Sequence, residues 1–315
     1  MSKQTTSHIM MVRPANFGFN EQTAESNAFQ TNDTSLSQKE ISRQAVIEFD
    51  GMVAKLRSVG IHVHVIEDSP APVKPDAIFP NNWVSFHDNG TIITYPMFTP
   101  NRQAEIREDV LEGMKEHFVV KKRVRFNRFA SKSIFLEGTG SMILDRENRI
   151  VYACVSARTE ENLLHNFAEW ADYEPVLFLS VDSNGLEIYH TNVMMAVGNT
   201  FAIICMDSIK EEADRVMVRA KLEETNKEII DISYDQMLSF AGNMLQVSND
   251  AGETYLVMSQ QAYRSLNTRQ IEAIESHTNI LACQIDTIEN YGGGSARCMM
   301  AEVFLPVKQN VQITA

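Results

Sequence analysis

The chain has 315 residues, 44% hydrophobic and 22% charged, enough to bury a sizeable core in an ordinary globular composition. Its 41 acidic residues against 28 basic give a net charge of -13, which argues against a nucleic-acid partner; the one dense basic cluster, Lys121, Lys122, Arg123 and Arg125, reads as a solvated helix-to-strand junction. No stretch reaches the roughly eighteen apolar residues of a bilayer span, the start MSKQTTSHIMMVRP lacks the apolar core of a signal peptide, and the four cysteines include no CxxC pair, so a cytoplasmic protein with free thiols and no membrane partner is expected.

In chain order, the apolar run IMMVRP predicts an N-terminal strand, followed by a polar segment at 15–37 that reads as a lid or a long surface loop. A helix at 38–58 and the run IHVHVIED follow. Residues 79–98, FPNNWVSFHDNGTIITYPMF, then read as a hairpin turned at Asn89 and Gly90, where positive φ is needed. The same grammar recurs at 135–157, 189–206 and 240–258, and each hairpin is followed by a helical stretch and a β-rich run. Those helices are predicted at 102–118, 161–171, 210–223 and 268–277, with VKKRVRF, EPVLFLSV, KEIIDISY and NILACQID after them.

The residues before the first apolar run of each hairpin are Asn82, Gly140, Asn192, Asn243 and Arg297, spaced by 58, 52, 51 and 54. This is a repeat of five ββαβ units, and units that cannot bury their faces alone pack around a shared axis. An α/β, five-bladed propeller with pseudo-fivefold symmetry follows, with residues 1–315 as one catalytic domain. The alternative is a set of unconnected hairpins in another α/β fold.

If the first strand of each blade lines the axis, Asn82, Glu137, His190, Asn243 and Cys298 converge on one pocket. The stretch GGGSARCMM at 292–300 brings a flexible backbone and then Cys298 onto what reads as a strand. Cysteine, histidine and carboxylate together supply a nucleophile, a proton carrier and a polar partner for attack on an electrophilic carbon. Taken singly, Cys298 also reads as a small buried hydrophobe and His190 as a structural histidine. Glu137 is placed on a buried strand, where an unpartnered carboxylate is costly.

The segments FLEGTG, EIYHTN and GGGSARCMM, set in this repeat, resemble the guanidino-group modifying enzymes: arginine deiminases, dimethylarginine dimethylaminohydrolases, succinylarginine dihydrolase and amidinotransferases. VRPANFGFNEQTAESNAFQ at 12–30 and FPNNW at 79–83 are similar to the bacterial amidinotransferase-like branch linked to citrulline hydrolysis. The resemblance implies the propeller fold known as the pentein, and a thiol intermediate formed by Cys298. It also implies His190 as acid and then base, Glu137 holding substrate nitrogens or orienting the histidine, and no metal or organic cofactor.

Deiminases carry aspartates at the positions of Asn82 and Asn192, and the EGGD motif reads Glu137, Gly138, Thr139, Gly140 here. The loss of two negative charges favours a neutral ureido group, so citrulline is the expected substrate, giving ornithine, ammonia and carbon dioxide. Both asparagines also read as satisfying local backbone groups. Arg158 in SARTEE resembles the arginine that binds the substrate carboxylate in deiminases, with Arg13 and Arg297 as further candidates. Phe79 and Trp83 are candidate walls around the substrate stem, and Phe79 also reads as core. The partner is a small amino-acid substrate, with a homodimer held open. An arginine deiminase or dimethylarginine hydrolase, a transferase passing the amidino group to an amine, and a non-enzymatic propeller binding protein are the alternatives.

Overall fold

A computed structural model of the chain describes residues 3–24, 27 and 29–308. Fifteen strands are assigned among them, in five separate three-stranded sheets. In the first full unit β3 (Val84–Phe86) and β4 (Thr91–Thr94) form an antiparallel hairpin, and β5 (Lys122–Arg125) adds parallel to β4. The next three units repeat this order. They comprise β6 (Ile143–Asp145), β7 (Ile150–Cys154) and β8 (Glu174–Phe178), then β9 (Met195–Val197), β10 (Phe201–Ile204) and β11 (Glu228–Asp231), then β12 (Leu245–Ser248), β13 (Thr254–Ser259) and β14 (Asn279–Cys283).

The fifth unit is assembled from both ends of the chain. β1 (His8–Arg13) runs parallel to β2 (His62–Glu67) and antiparallel to β15 (Ala301–Glu302), with Ile9 opposite Glu302 and Met10 opposite Ala301. The α/β propeller of five ββαβ blades is thus closed by pairing its first strand with its last. Parallel pairs need a crossover, and in each blade a helix supplies it.

Helix α1 (Gln38–Ser58) has the predicted bounds because its ends are chemically marked. Ser37 and Glu40 form a capping box, and Ile41, Ala45, Phe49, Met52 and Leu56 place one apolar stripe against the core. The other crossover helices are α2 (Glu108–His117), α3 (Glu161–Ala171), α4 (Glu212–Glu224) and α5 (Thr268–Glu275), each at or within the predicted range to one residue at its C-terminal side. Helix α2 is the exception at its start. The expected helix at 102–118 is broken, with a separate turn at Pro100–Gln103, because Arg102 and Glu105 turn inward and are only 3% exposed. A helix α6 (Asp286–Gly292) precedes the glycine loop and packs on α1, where Glu48 accepts from the N–H groups of Thr287 and Ile288.

Two further expectations are corrected. Cys298 does not lie on a strand: residues 295–298 form a turn, with the Cys298 N–H donating to the Ser295 carbonyl at 3.0 Å, and β15 starts at Ala301. Glu137 is likewise not on a strand but caps a one-turn helix at Gly138–Ser141. The chain must turn there: Gly138 has φ +49°, and a Cβ on it would lie 2.3 Å from the Asn81 carbonyl oxygen.

Candidate active site

Each inner strand is entered through a tight turn of the same kind. N–H to carbonyl bonds run from Asn82 to Phe79, Gly140 to Glu137, Val193 to His190, Asn243 to Phe240 and Cys298 to Ser295. Five equivalent turns from five blades therefore deliver their side chains to one end of the axis, which is why residues more than 200 positions apart meet.

The Cys298 sulfur is held by two of those blades. The amide nitrogens of Asn192 and Asn243 each lie 3.3 Å from Sγ, and Asn243 Oδ1 accepts from the Arg297 N–H at 3.1 Å. Because Oδ1 faces a main-chain donor, Asn243 must present Nδ2 to the sulfur. Two amide N–H donors from different blades thus point at one sulfur.

His190 and Glu137 form the second part. Glu137 Oε2 is 2.7 Å from His190 Nε2, and Glu137 Oε1 accepts from the Phe98 N–H at 2.8 Å, so both carboxylate oxygens are engaged. Burial would raise the Glu137 pKa, but Arg158, 3.6 Å away, the His190 hydrogen bond and Arg102 outweigh it and hold it at about 2. Burial takes His190 the other way, down to about 4 despite the opposing carboxylate, so the resting imidazole is neutral near pH 7. Gly140 is required beside the ring, since a Cβ there would lie 2.3 Å from Asn82 Nδ2 and 2.8 Å from His190 Nδ1.

Cys298, His190, Asn82, Phe79 and Arg158 line one small cavity, together with Asp76, Arg102, Tyr189, Asn27 and Gly292–Gly294. Its volume of about 20 Å³ has room for about one water. The polar segment expected as a lid or a surface loop supplies part of its wall: Asn27 accepts from the Tyr189 hydroxyl at 2.9 Å and donates to the Gly292 carbonyl at 3.2 Å, and Thr31 N–H donates to the Asn290 carbonyl at 2.8 Å. Positions 25, 26 and 28 of that segment lie outside the described residues.

Three candidates are placed elsewhere. Arg13 is in a partly exposed ion pair with Asp50 at 2.8 Å, with Glu67 at 3.6 Å. Arg297 turns away from the cavity to bind Glu302 at 2.9 Å and the Met300 carbonyl, because a buried guanidinium takes the nearest carboxylate. Trp83 packs into the apolar cluster with Met10, Phe86 and Leu111 and does not line the cavity. Asn192 and Asn243 contact the sulfur rather than lining the cavity.

Sequence reasoning missed Asp76 and Arg102. Arg102 donates bidentately to Glu105 through one guanidinium edge, Nε and Nη2, at 2.9 and 3.0 Å, and its Nη1 donates to Asn82 Oδ1 at 3.0 Å. Asp76 is fully buried, accepts from Asn20 Nδ2 at 2.7 Å and leaves Oδ1 without a hydrogen bond; burial pushes its pKa up. The i,i+3 pair Arg102 and Glu105, just after Pro100, is the signal that could have found Arg102, and it falls inside the helix expected at 102–118. Among the described residues no group of histidine, cysteine and carboxylate side chains is arranged to hold a metal, and no helix is long and apolar enough to cross a membrane.

The family model for eukaryotic N,N dimethylarginine dimethylhydrolase matches residues 13–305. Among solved structures, the N-terminal domain of ArgZ, an arginine dihydrolase from the ornithine-ammonia cycle in cyanobacteria, superposes with a TM-score of 0.72 at 18% identity, over 95% of this chain and 98% of that one. AgrE in complex with L-arginine gives 0.73 at 18% identity, over 98% of this chain and 41% of that one, so this chain spans about two-fifths of AgrE. A dimethylarginine dimethylaminohydrolase carrying S-methyl-L-thiocitrulline gives 0.62 at 13% identity, over 95% of this chain and 99% of that one. These identities speak to fold alone. No curated protein matches the chain in sequence.

Proposed function

The chain belongs to the N,N dimethylarginine dimethylhydrolase family, and from that premise we propose that it hydrolyses a C–N bond at the guanidino or ureido carbon of an amino acid, with Cys298 as nucleophile. The observation that carries this reading is the convergence on one cavity of a sulfur holding two amide donors and a neutral imidazole backed by a carboxylate.

The roles follow from the geometry. His190 takes the thiol proton, and Glu137 stabilises the imidazolium that forms, since charge on the ring is otherwise opposed by burial. Sulfur attacks the central carbon, the imidazolium returns its proton to the departing nitrogen, and a covalent thiol adduct remains. His190, neutral again, then activates water on the adduct, and collapse of the tetrahedral intermediate frees the sulfur. Glu137 orients the histidine and does not hold substrate, since both its oxygens are engaged. For the amino-acid head group, Arg158 suits the carboxylate and the unbonded Asp76 Oδ1 suits the ammonium.

Asn82 favours a ureido substrate such as citrulline. Arg102 only donates, so Asn82 Oδ1 must face it, and the amide nitrogen, which has no partner, is left for a substrate carbonyl. A guanidinium has no acceptor to offer it. The second reading, an arginine-type substrate, is favoured by Asp76, the acidic side chain in the cavity lining, whose Oδ1 has no hydrogen bond. Ammonia release measured side by side from L-citrulline, L-arginine and dimethylarginine decides: fastest release from citrulline supports the ureido reading, and fastest release from either guanidino compound rejects it. Replacing Cys298 by Ala abolishes all three activities if the thiol is the nucleophile, and an active variant ends the proposal.

A further inference from the structure

The steps above do not use a carboxyl group that lies under the glycine loop. Glu289 sits on α6 and is 1% exposed. Its Oε1 accepts from the Ser295 hydroxyl at 2.6 Å, while Oε2 makes no formed hydrogen bond among the described residues and no cation pairs with it there. Its main chain is engaged as well: the Gly293 N–H donates to the Glu289 carbonyl at 2.9 Å. One residue therefore holds both ends of the loop, Gly293 through its backbone and Ser295 through its side chain. Ser295 in turn accepts from the Cys298 N–H.

This grip matters because of what the loop lacks. Gly292, Gly293 and Gly294 bring no side chains to pack and lose the most conformational freedom on ordering, so a few hydrogen bonds decide where the sulfur sits. A buried carboxylate without a cation is an expensive way to hold a hydroxyl. The charged groups facing Glu289 are Glu48 from α1 and Asp286 from its own helix, both acidic, against the hydroxyls of Ser295 and Ser259. Burial pushes the carboxyl up to about 7.

We propose that Glu289 is a positioning residue for Cys298: its carboxyl clamps Ser295, and the clamp keeps the sulfur between the amide nitrogens of Asn192 and Asn243. This rests on Cys298 being the nucleophile. A carboxyl raised from 4.5 to about 7 on folding carries more protons in the folded chain, so its contribution to stability is largest at low pH and is lost as pH rises from about 4.5 through about 7. The loop is held most firmly with Glu289 protonated.

The test uses Glu289→Gln, Glu289→Ala and Ser295→Ala in the full chain, with melting temperature, kcat, KM and amide hydrogen exchange of residues 293–298 measured at pH 5.5 and 8.5. Glu289→Gln keeps an acceptor for Ser295 and has no proton to lose. It is expected to match the parent's melting temperature at pH 5.5 and exceed it at pH 8.5. Ser295→Ala and Glu289→Ala are expected to lower kcat by about tenfold with KM nearly unchanged and to speed exchange of 293–298, with Gln at 289 restoring both. Parental kcat and exchange in Ser295→Ala, or a Glu289→Gln melting difference that is the same at both pH values, overturns the inference. If Glu289→Ala does not fold, the other two variants decide. Loop exchange is also read in a Cys298→Ala background. An active Cys298→Ala protein whose loop still loosens with Ser295→Ala overturns the nucleophile assignment alone, and an inactive one whose loop ignores Ser295 overturns the clamp alone.

Discussion

Both oxygens of Glu137 are taken up by the protein, one by His190 and one by the Phe98 N–H, and this sets what each residue of the site can do. The carboxylate is the group that opposes burial at His190, so its neutral counterpart leaves the ring less able to hold a proton in mid-reaction. Glu137→Gln is accordingly expected to lower kcat by roughly 10² to 10⁴ with little change in KM, read by steady-state kinetics. In the free enzyme the imidazole must be neutral to take the thiol proton. kcat/KM should therefore rise with pH through about 4, the His190 value, before other groups intervene. At Asn82 the decisive contact is Arg102, and Asn82→Asp puts a carboxylate where an amide nitrogen now waits. It should move the arginine-to-citrulline ratio of kcat/KM toward arginine by about tenfold or more.

Among the elements, the tight turns at the heads of the inner strands hold the proposed catalytic residues, and their geometry is strict. Gly138→Ala must force positive φ on a residue with a Cβ and push that Cβ against the Asn81 carbonyl, so a loss of at least about 2 kcal/mol in stability is expected from denaturant melts. Ser37→Ala offers a contrast far from the site, costing about 1 kcal/mol through the α1 cap while leaving kcat alone. The elements also show what a sequence can and cannot disclose. Hairpins and crossover helices were legible because alternation, Asn-Gly turns and helical apolar spacing are local signals, as at Asn89 and Gly90. Arg102 and Asp76 were not, because a charged residue in a polar stretch reads as solvated until tertiary packing turns it inward. Cys298, His190 and Glu137 stand out by residue type and motif, yet the turns that hold them looked like strand starts, since one turn of helix leaves no periodicity. Arg297 and Arg13 show the converse: an arginine beside a site motif is no guide to where its guanidinium finds a carboxylate.

For the whole molecule, the fivefold ring depends on β1 pairing with both β2 and β15, and a cluster of histidines sits at that seam. His8 Nδ1 is 3.2 Å from His64 Nε2, and the His8 ring stacks on His62 with centroids 4.6 Å apart. Burial lowers both His8 and His64 from 6.5 to about 4. Below 6.5 the unfolded chain takes up protons that the folded seam refuses, so this contribution to stability is full above pH 6.5 and is lost as pH falls toward 4. Glu289 and Asp76, both raised, act in the opposite sense. The clean comparison is between His64→Gln and the parent, whose melting temperature should fall more steeply than the variant's between pH 6.5 and 4. The ring brings five blades' turns to one point, and the proposed reaction is decided there. Acid quench of the enzyme during turnover of citrulline and of arginine, followed by peptide mass mapping, reads it directly: a substrate-derived adduct on Cys298 that disappears as substrate is exhausted is expected, and turnover with an unmodified Cys298, or an adduct on another residue, contradicts Cys298 as the nucleophile.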